Sequence, residues 1–491
     1  MKTIRDPGRI LKDGLAAIRA QYQLPAAFPP DVVAEAEAAA MRPLDDHQDC
    51  TDWHFVTLDP ASSRDLDQAF AIEFRGDCIL LHYAIADVAW FVDEGGAMDR
   101  EAWHRGTSQY LPDGKVPLYP TQLSEGAASL LPDVVRPAIL FSTRVEADGV
   151  AVLEGVERVR IRSRAKLAYE TVRPSDLPDG FAELGRRVAL GEIKRGAHRS
   201  DPPEQEVVAH DGHYDLRLSP QTPAEAQNAA LSLANNLAVA DALLAARTGL
   251  FRVMPEPEGW ALKRLRNSAK AMGIDWPKGR GADEMERLLD PADPDQAALL
   301  LAIRRSSPGA TYQPFREGTR PWHAAMAATY AHATAPLRRL ADRHVVMAAY
   351  AVANNKPVPE AMSLAFDRLP KVMARADALG AGRRATRQRG LRRDPGYCRA
   401  SDQRRHRLRR HGERRHLEDD ERNGAAPHVG RADRRPAVAF DRRDRVRCDG
   451  RDAADADRRH RALVELRTTR RRRDRRLSHD ERRHHLDAAR R

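Results

Sequence analysis

A break in composition near residue 381 limits where this chain can build a core. From 381 to 491 there are 37 Arg, no Lys, 19 Asp and Glu and 8 His, but only 13 residues of Val, Ile, Leu, Met, Phe, Tyr or Trp. So few apolar side chains cannot offset the entropy of ordering a segment that long, and the tail is expected to be disordered. Its charge is +18, whereas residues 1–380 hold 45 cations against 52 anions and carry −7, so the +11 of the whole chain comes from the tail. Two readings account for it. One is an arginine-rich arm that binds nucleic acid. The other is translation out of frame. Residues whose codons can begin with C or G make up 101 of the 111, which favours a frame shift near Ala381–Gln388 in a GC-rich gene.

The first 380 residues read as one enzyme-sized unit. No run of 18 apolar residues occurs, so no membrane span is expected. The N-terminus lacks the apolar stretch of a secretory signal. Cys50, Cys78, Cys398 and Cys448 are too scattered for a disulfide framework or a zinc knuckle. The expected address is the cytoplasm. Residues 8–40 have helical spacing, with Pro25, Pro29 and Pro30 dividing two helices. Strand-like patterning runs from Trp53 to about Tyr169, a strong helical pattern fills 223–247, and a further helix follows Pro336. The fold class is therefore α+β: a mixed sheet with packed helices, without internal repeats. The expected organisation is a helical lead-in at 1–50, a catalytic unit at 51–380, and the tail.

The densest chemistry is V-T-L-D-P-A-S-S-R-D-L-D-Q-A-F, which sets Asp59, Asp65 and Asp67 within nine residues. Pro60 and two serines make the intervening segment a turn, and a turn can fold carboxylates toward one point. Convergent carboxylates suit Mg²⁺, a hard cation that takes oxygen ligands and serves phosphodiester hydrolysis. On spacing alone a solvated acidic turn is the more ordinary reading. The string R-V-R-I-R-S-R-A-K places Arg158, Arg160, Arg162, Arg164 and Lys166 at every second position. On a regular strand all five project from one face, which suggests a polyanion partner; an ordinary solvated face is the alternative. Thr334 and Pro336 predict a helix start that puts Arg338 and Arg339 in the first turn, where helix starts favour phosphate.

The acidic string resembles the catalytic domain of the ribonuclease II and ribonuclease R family, the RNB domain. The resemblance continues through H-Y-A-I-A-D-V at 82–88, R-G-T-S-Q-Y-L-P at 105–112, V-P-L-Y-P-T-Q-L-S-E-G-A-A-S-L-L-P at 116–132, I-R-S-R-A-K-L-A-Y at 161–169 and Y-A-H-A-T-A-P-L-R-R-L-A-D at 330–342. The likeness is to a short, actinobacterial-like branch with a helical lead-in. It implies processive 3′→5′ hydrolysis of single-stranded RNA to nucleoside 5′-monophosphates, with Mg²⁺, or Mn²⁺, as cofactor. It implies no membrane association and no stable protein partner.

By position, Asp59, Asp65 and Asp67 match three of the family's four clustered aspartates, and Gln68 stands at the fourth. An amide oxygen can ligate a metal but adds no charge, so the number of metals is left open. The resemblance makes Asp67 and Arg338 catalytic, with Arg339 beside them on the RNA. It sets Tyr169 near the terminal nucleotides, where a ring can stack on a base. Asn228 falls where relatives carry a helix glutamate, and its amide can accept from the 2′-hydroxyl that marks RNA. Nothing after 381 has the alternating strands of the family's C-terminal OB-fold domain. The rival expectation is an RNB-fold protein that holds RNA but cleaves it poorly.

Overall fold

The computed structural model describes residues 2–391, apart from 6–9, 112–113, 198–203, 211–212, 220–221, 257–258, 287, 291–292 and 307–308. The expectations for the tail fall almost wholly outside the described residues.

The chain opens with a short strand, β1 (Lys2–Arg5), then helices α1 (Ile10–Gln21) and α2 (Pro30–Ala40). Pro30 sits at the first helical position of α2, where a missing N–H costs nothing. Strand β2 (Gln48–Asp49) follows, then β3 (Phe55–Asp59), β4 (Gln68–Arg75) and β5 (Cys78–Ala86). β4 and β5 form a hairpin whose Arg75↔Cys78 register leaves only Gly76 and Asp77 to turn the chain. Gly76 adopts φ +59°, as a two-residue hairpin turn demands. Two helices, α3 (Val88–Phe91) and α4 (Ala97–Arg105), lead to a small hairpin of β6 (Gln109–Leu111) and β7 (Gly114–Val116). A π-helical turn at Leu123–Ala127 precedes the long strands β8 (Val135–Val145) and β9 (Ala151–Ala168).

The second half begins with α5 (Phe181–Arg195), β10 (Glu204–His210) and β11 (His213–Ser219). Helix α6 (Pro223–Ala245) is followed by β12 (Leu250–Val253), α7 (Gly259–Ala271), α8 (Ala282–Glu286) and α9 (Pro294–Ser306). Last come β13 (Thr311–Pro314), α10 (Leu340–Ala353) and α11 (Glu360–Leu391). No helix among the described residues is long and apolar enough to cross a membrane.

The main sheet is mixed, in the order β2-β9-β3-β4-β5-β8, and β8 pairs back onto β9. Val159 of β9 faces Ala138 of β8 on one side and Gln48 of β2 on the other. The two edges of β9 are therefore both occupied, and β3, β4, β5, β8 and β9 close into a ring with no free edge between them. The ring and its helices bury one large core that includes Phe55, Phe70, Tyr83, Phe141 and Leu231. Helix α6 is fixed by a capping box of Thr222 and Glu225. Its alanines allow close packing, and its buried asparagines find partners: Asn235 accepts from Thr143, and Asn236 accepts from the Ala333 amide. A separate small core holds α7, α8 and α9 together through Leu265, Met285, Leu299 and Ile303.

Three sequence expectations need correction. The lead-in is not wholly helical, because β1 pairs with β11 and β2 with β9. The helix after Pro336 starts at Leu340, so Arg338 and Arg339 precede it instead of forming its first turn. The physical reason is Asp342: its buried carboxylate accepts from the amides of Thr334 and Ala335 and holds residues 334–339 in a turn. The third concerns β9. Phe55 pairs with Ser163 but Val56 pairs with Ala165, a bulge that leaves Arg164 as the extra residue. Thr57 then faces Lys166. Ser163 and Lys166 consequently share a face, and Lys166 points away from the side that carries Arg158, Arg160 and Arg162.

Candidate active site

Asp59 ends β3 and Gln68 begins β4, so the turn between them starts and finishes on rigid sheet. Its backbone is held from several directions. Lys166 Nζ donates to Ala61 O at 2.7 Å and Ser63 O at 2.6 Å, and the Ala61 amide donates to Glu170 at 3.1 Å. Ser129 Oγ accepts from the Leu66 amide at 2.9 Å and donates to Arg64 O at 2.7 Å. Leu66 is fully buried between Asp65 and Asp67, and it anchors the turn in the core.

Asp67 is the innermost of the carboxylates, at 5% exposure. Its Oδ1 accepts from the Leu337 amide at 2.7 Å, and its Oδ2 lies 3.5 Å from Arg338 Nε. Burial pushes Asp67 up to about 7, against the pull of Arg338, and pushes Asp59 up to about 6; Asp65 raises both further. Arg338 comes from the turn before α10. Its carbonyl accepts from the Ser108 amide at 2.9 Å and Thr107 Oγ1 at 2.6 Å, which fixes the backbone while the guanidinium stays half-exposed.

Arg339 is different. Its fork closes on the fully buried Asp342, with Nε to Oδ1 at 2.9 Å and Nη2 to Oδ2 at 2.7 Å. A bidentate pair of that kind braces the turn that presents Arg338, a role beside the RNA contact expected from its position.

Gln68 also departs from expectation. Its Nε2 donates to Thr334 O at 2.8 Å, and its Oε1 accepts from Tyr83 Oη and from Ser232 Oγ, the latter at 3.2 Å. Tyr83 Oη and Ser232 Oγ also lie 2.8 Å apart and share their hydroxyl protons with the amide oxygen, so Gln68 is held in a hydrogen-bond network that competes with metal binding. It ties β4, β5, α6 and the segment before Arg338 into one network.

Tyr169 and Asn228 are brought together at the other end of the turn. Asn228 Nδ2 donates to Tyr169 Oη at 2.6 Å and to Leu58 O at 3.2 Å. Burial and the nearby Asp59 raise the Tyr169 phenol above its ordinary value.

The cations of β9 are largely engaged within the fold. Arg158 pairs with the buried Asp87 at 2.7 Å and packs over Trp90 and Tyr350, and Arg160 pairs with Asp49 at 2.8 Å. Arg164 donates to Thr51 O at 2.7 Å, and Lys166 braces the acidic turn. Arg162 is half-buried on the side of Arg158 and Arg160. The stripe is therefore mostly internal wiring, unlike the bare cationic face that its alternation predicts.

Two residues of the site carry no signal of their own in the sequence. Lys115 Nζ lies 2.6 Å from Asp65 Oδ2, and Tyr110 Oη donates to the same oxygen at 3.2 Å. Tyr110 falls inside a motif already singled out at 105–112, but its meeting with Asp65 needs the β6–β7 hairpin to fold over the turn.

Among the described residues, no three His, Cys, Asp or Glu side chains already converge as a metal cluster. The chemistry of the donors nevertheless suits one hard divalent cation. Asp59 and Asp67 are desolvated carboxylates held near neutrality by burial and by a third carboxylate. The pull of Arg338 on both groups does not offset their burial, and Mg²⁺ needs only one or two protein carboxylates when water and phosphate complete its shell. Asp59, Asp65 and Asp67 fit that requirement, and Gln68 contributes no charge to it.

Comparison with known proteins agrees with this fold. Ribonuclease R of Thermotoga maritima is 29% identical over 381 residues, which is 71% of this chain and 53% of that relative. The chain thus spans about half the length of that relative. Among solved structures, Mycoplasma genitalium RNase R in complex with ribose methylated single-stranded RNA superposes with a TM-score of 0.66 at 21% identity, over 75% of this chain and 63% of that one. Yeast Ssd1, described as a pseudonuclease, superposes with a TM-score of 0.53 at 17% identity, over 68% and 45% of the two chains. At these identities the structural likeness speaks for the fold alone. Residues 47–355, more than half of the chain, match the RNB domain family. This chain belongs to the RNB domain family.

Proposed function

We propose that the chain is a divalent-metal-dependent exoribonuclease that shortens single-stranded RNA from its 3′ end and releases nucleoside 5′-monophosphates. The observation that carries this reading is the buried Asp67 with the half-exposed Arg338 guanidinium 3.5 Å away. An acid and a multi-donor cation held together on rigid backbone suit a phosphodiester at the moment of its cleavage.

A divalent cation bound by Asp59, Asp65 and Asp67 would supply positive charge to phosphate oxygens and lower the pKa of water. The remaining work falls to the chain. Arg338 donates to the scissile phosphate and stabilises the charge that grows on it. Arg339 and Asp342 hold the turn so that Arg338 needs little reorganisation. Tyr169 stacks on a base near the 3′ end. Asn228 uses its amide N–H groups on Leu58 and Tyr169, and turns its oxygen to a 2′-hydroxyl. The same reading places the chain in the cytoplasm, with RNA as its partner.

The rival reading is an RNB fold that binds RNA with weak catalysis. It gains support from Gln68, which adds no carboxylate where the family resemblance has an aspartate. One variant separates them. Asp67→Asn is expected to abolish release of 5′-mononucleotides from a 3′-extended single-stranded RNA while RNA affinity stays within a few-fold. Wild-type protein that releases no mononucleotide with Mg²⁺ or Mn²⁺, yet binds RNA, establishes the rival. Release that persists in excess chelator removes the metal from the mechanism.

A further inference from the structure

Lys115 is the feature of the site that the catalytic reading leaves unused. It lies on β7, and the hairpin register pairs it with Tyr110 across β6. Side chains of directly paired residues share a face, and here both reach the same carboxylate oxygen. Lys115 Nζ stands 2.6 Å from Asp65 Oδ2 and 3.6 Å from Glu125 Oε1. The three side chains are 21%, 14% and 26% exposed, so water screens them poorly. Tyr110 Oη adds a hydrogen bond to Asp65 Oδ2 at 3.2 Å, and the ammonium lies 5.7 Å from the Tyr110 ring centre. Glu125 belongs to the π-helical turn, a local geometry that is itself uncommon and often sits at functional sites.

We propose that Lys115 is a positioning residue that acts as a built-in cation and limits the acidic turn to one divalent ion. The inference rests on the metal-dependent reading above. The ammonium engages one oxygen of Asp65 and lies beside Glu125, so neither carboxylate is free to gather a second ion. A divalent cation on that side would face a fixed positive charge at contact distance, in a place shielded from solvent. On the opposite side Gln68 adds no charge, and its amide is held by the Tyr83 and Ser232 hydroxyls and by Thr334 O. Asp59 and Asp67 are left as the pair that a single ion can use, with the remaining oxygen of Asp65 at its edge. Without Lys115, Asp65 and Glu125 become two poorly screened carboxylates with only the largely exposed Arg64, 4.0 Å from Glu125, as a neighbouring cation, and oxygen donors in that state take up a hard cation.

The test counts bound Mn²⁺ by the loss of its free electron paramagnetic resonance signal, using the full chain. Four proteins are compared: wild type, Asp67→Asn, Lys115→Met and Lys115→Arg. Ions held elsewhere are common to all four and cancel in the differences. Wild type is expected to bind one ion more than Asp67→Asn. Lys115→Met is expected to bind one more than wild type, and Lys115→Arg to match wild type because it retains the charge. Should Lys115→Met fail to fold, Lys115→Gln repeats the measurement. A count unchanged in Lys115→Met overturns the role of Lys115 and leaves the metal reading standing. A gain in both Lys115→Met and Lys115→Arg also overturns it, since a loosened hairpin and not a lost charge would then admit the ion. A wild type already one ion above Lys115→Arg overturns it as well. Equal counts in wild type and Asp67→Asn strike the metal reading itself.

Discussion

Asp67→Asn should stabilise the metal-free protein, and the size of the effect follows from the burial of one carboxylate. An aspartate ordinarily loses its proton near 3.8, but burial pushes Asp67 up to about 7, even with Arg338 pulling the other way. Its proton is therefore held more tightly in the folded chain than in the unfolded one. Below about pH 4 the group is neutral in both states and costs nothing. Between 4 and 7 the folded state retains a proton that the unfolded state has released, so stability falls as pH rises. Above 7 the full cost of an ionised, buried carboxylate is present. At about 1.4 kcal/mol per pH unit, that cost is on the order of 4 kcal/mol, and for a domain of this size it corresponds to roughly 5 °C in Tm. Asparagine carries no charge, and its Oδ1 can still accept from the Leu337 amide. The assay is thermal unfolding in chelator from pH 4 to 8. The Tm of Asp67→Asn minus that of wild type should be small near pH 4, grow through pH 7 and then level off. Mg²⁺ should narrow the gap by stabilising only the wild type. A difference that is flat across this range would refute the reasoning, because the buried charge would then impose no cost on the fold.

Further outcomes follow from the same geometry. Arg338→Lys keeps a charge but loses the planar fork, so turnover should fall by on the order of 10²-fold while RNA affinity changes only a few-fold; equal losses in single-turnover kinetics and binding would mark a uniform contact. Gln68→Asp, read by thermal unfolding in chelator, should cost about 1–3 kcal/mol, since Thr334 O loses its donor and a further carboxylate enters a desolvated cluster. Truncation after residue 380 keeps Ala376, the last buried residue of α11 among those described; hydrolysis should persist, and the log–log salt slope of RNA binding should become shallower by about 0.7 for each phosphate the tail no longer neutralises. Loss of hydrolysis on that truncation would make the tail a working part of the enzyme.

Much of the framework could be read without coordinates, because it depends on patterns between near neighbours. Two proline-divided helices, a strand-rich middle, the helix at 223–245 and the turn between Asp59 and Asp67 all arise from spacing, prolines and capping residues that act over a few positions. The composition break at 381 is likewise a property of the chain itself, since a segment with 13 large apolar residues in 111 has too little to bury. Other features were illegible for a physical reason. Alternation in β9 predicts one cationic face only while the strand is regular, and a single bulged residue, set by pairing with β3, moves Lys166 to the opposite side. The roles of the two arginines diverge through Asp342, which engages Arg339 and leaves Arg338 exposed.

Gln68 looks like a weakened metal ligand in a string of acids. Only the approach of Tyr83, Ser232 and Thr334 turns it into a structural link. Lys115 carries no local signal at all, because its partner lies 50 residues away and is reached by a hairpin folding across a turn. By itself the sequence determined which residue types could act and where the chain turns. Tertiary packing decided which of those groups remain available, because in a desolvated site each donor or acceptor is either engaged by a neighbour or left to meet the substrate.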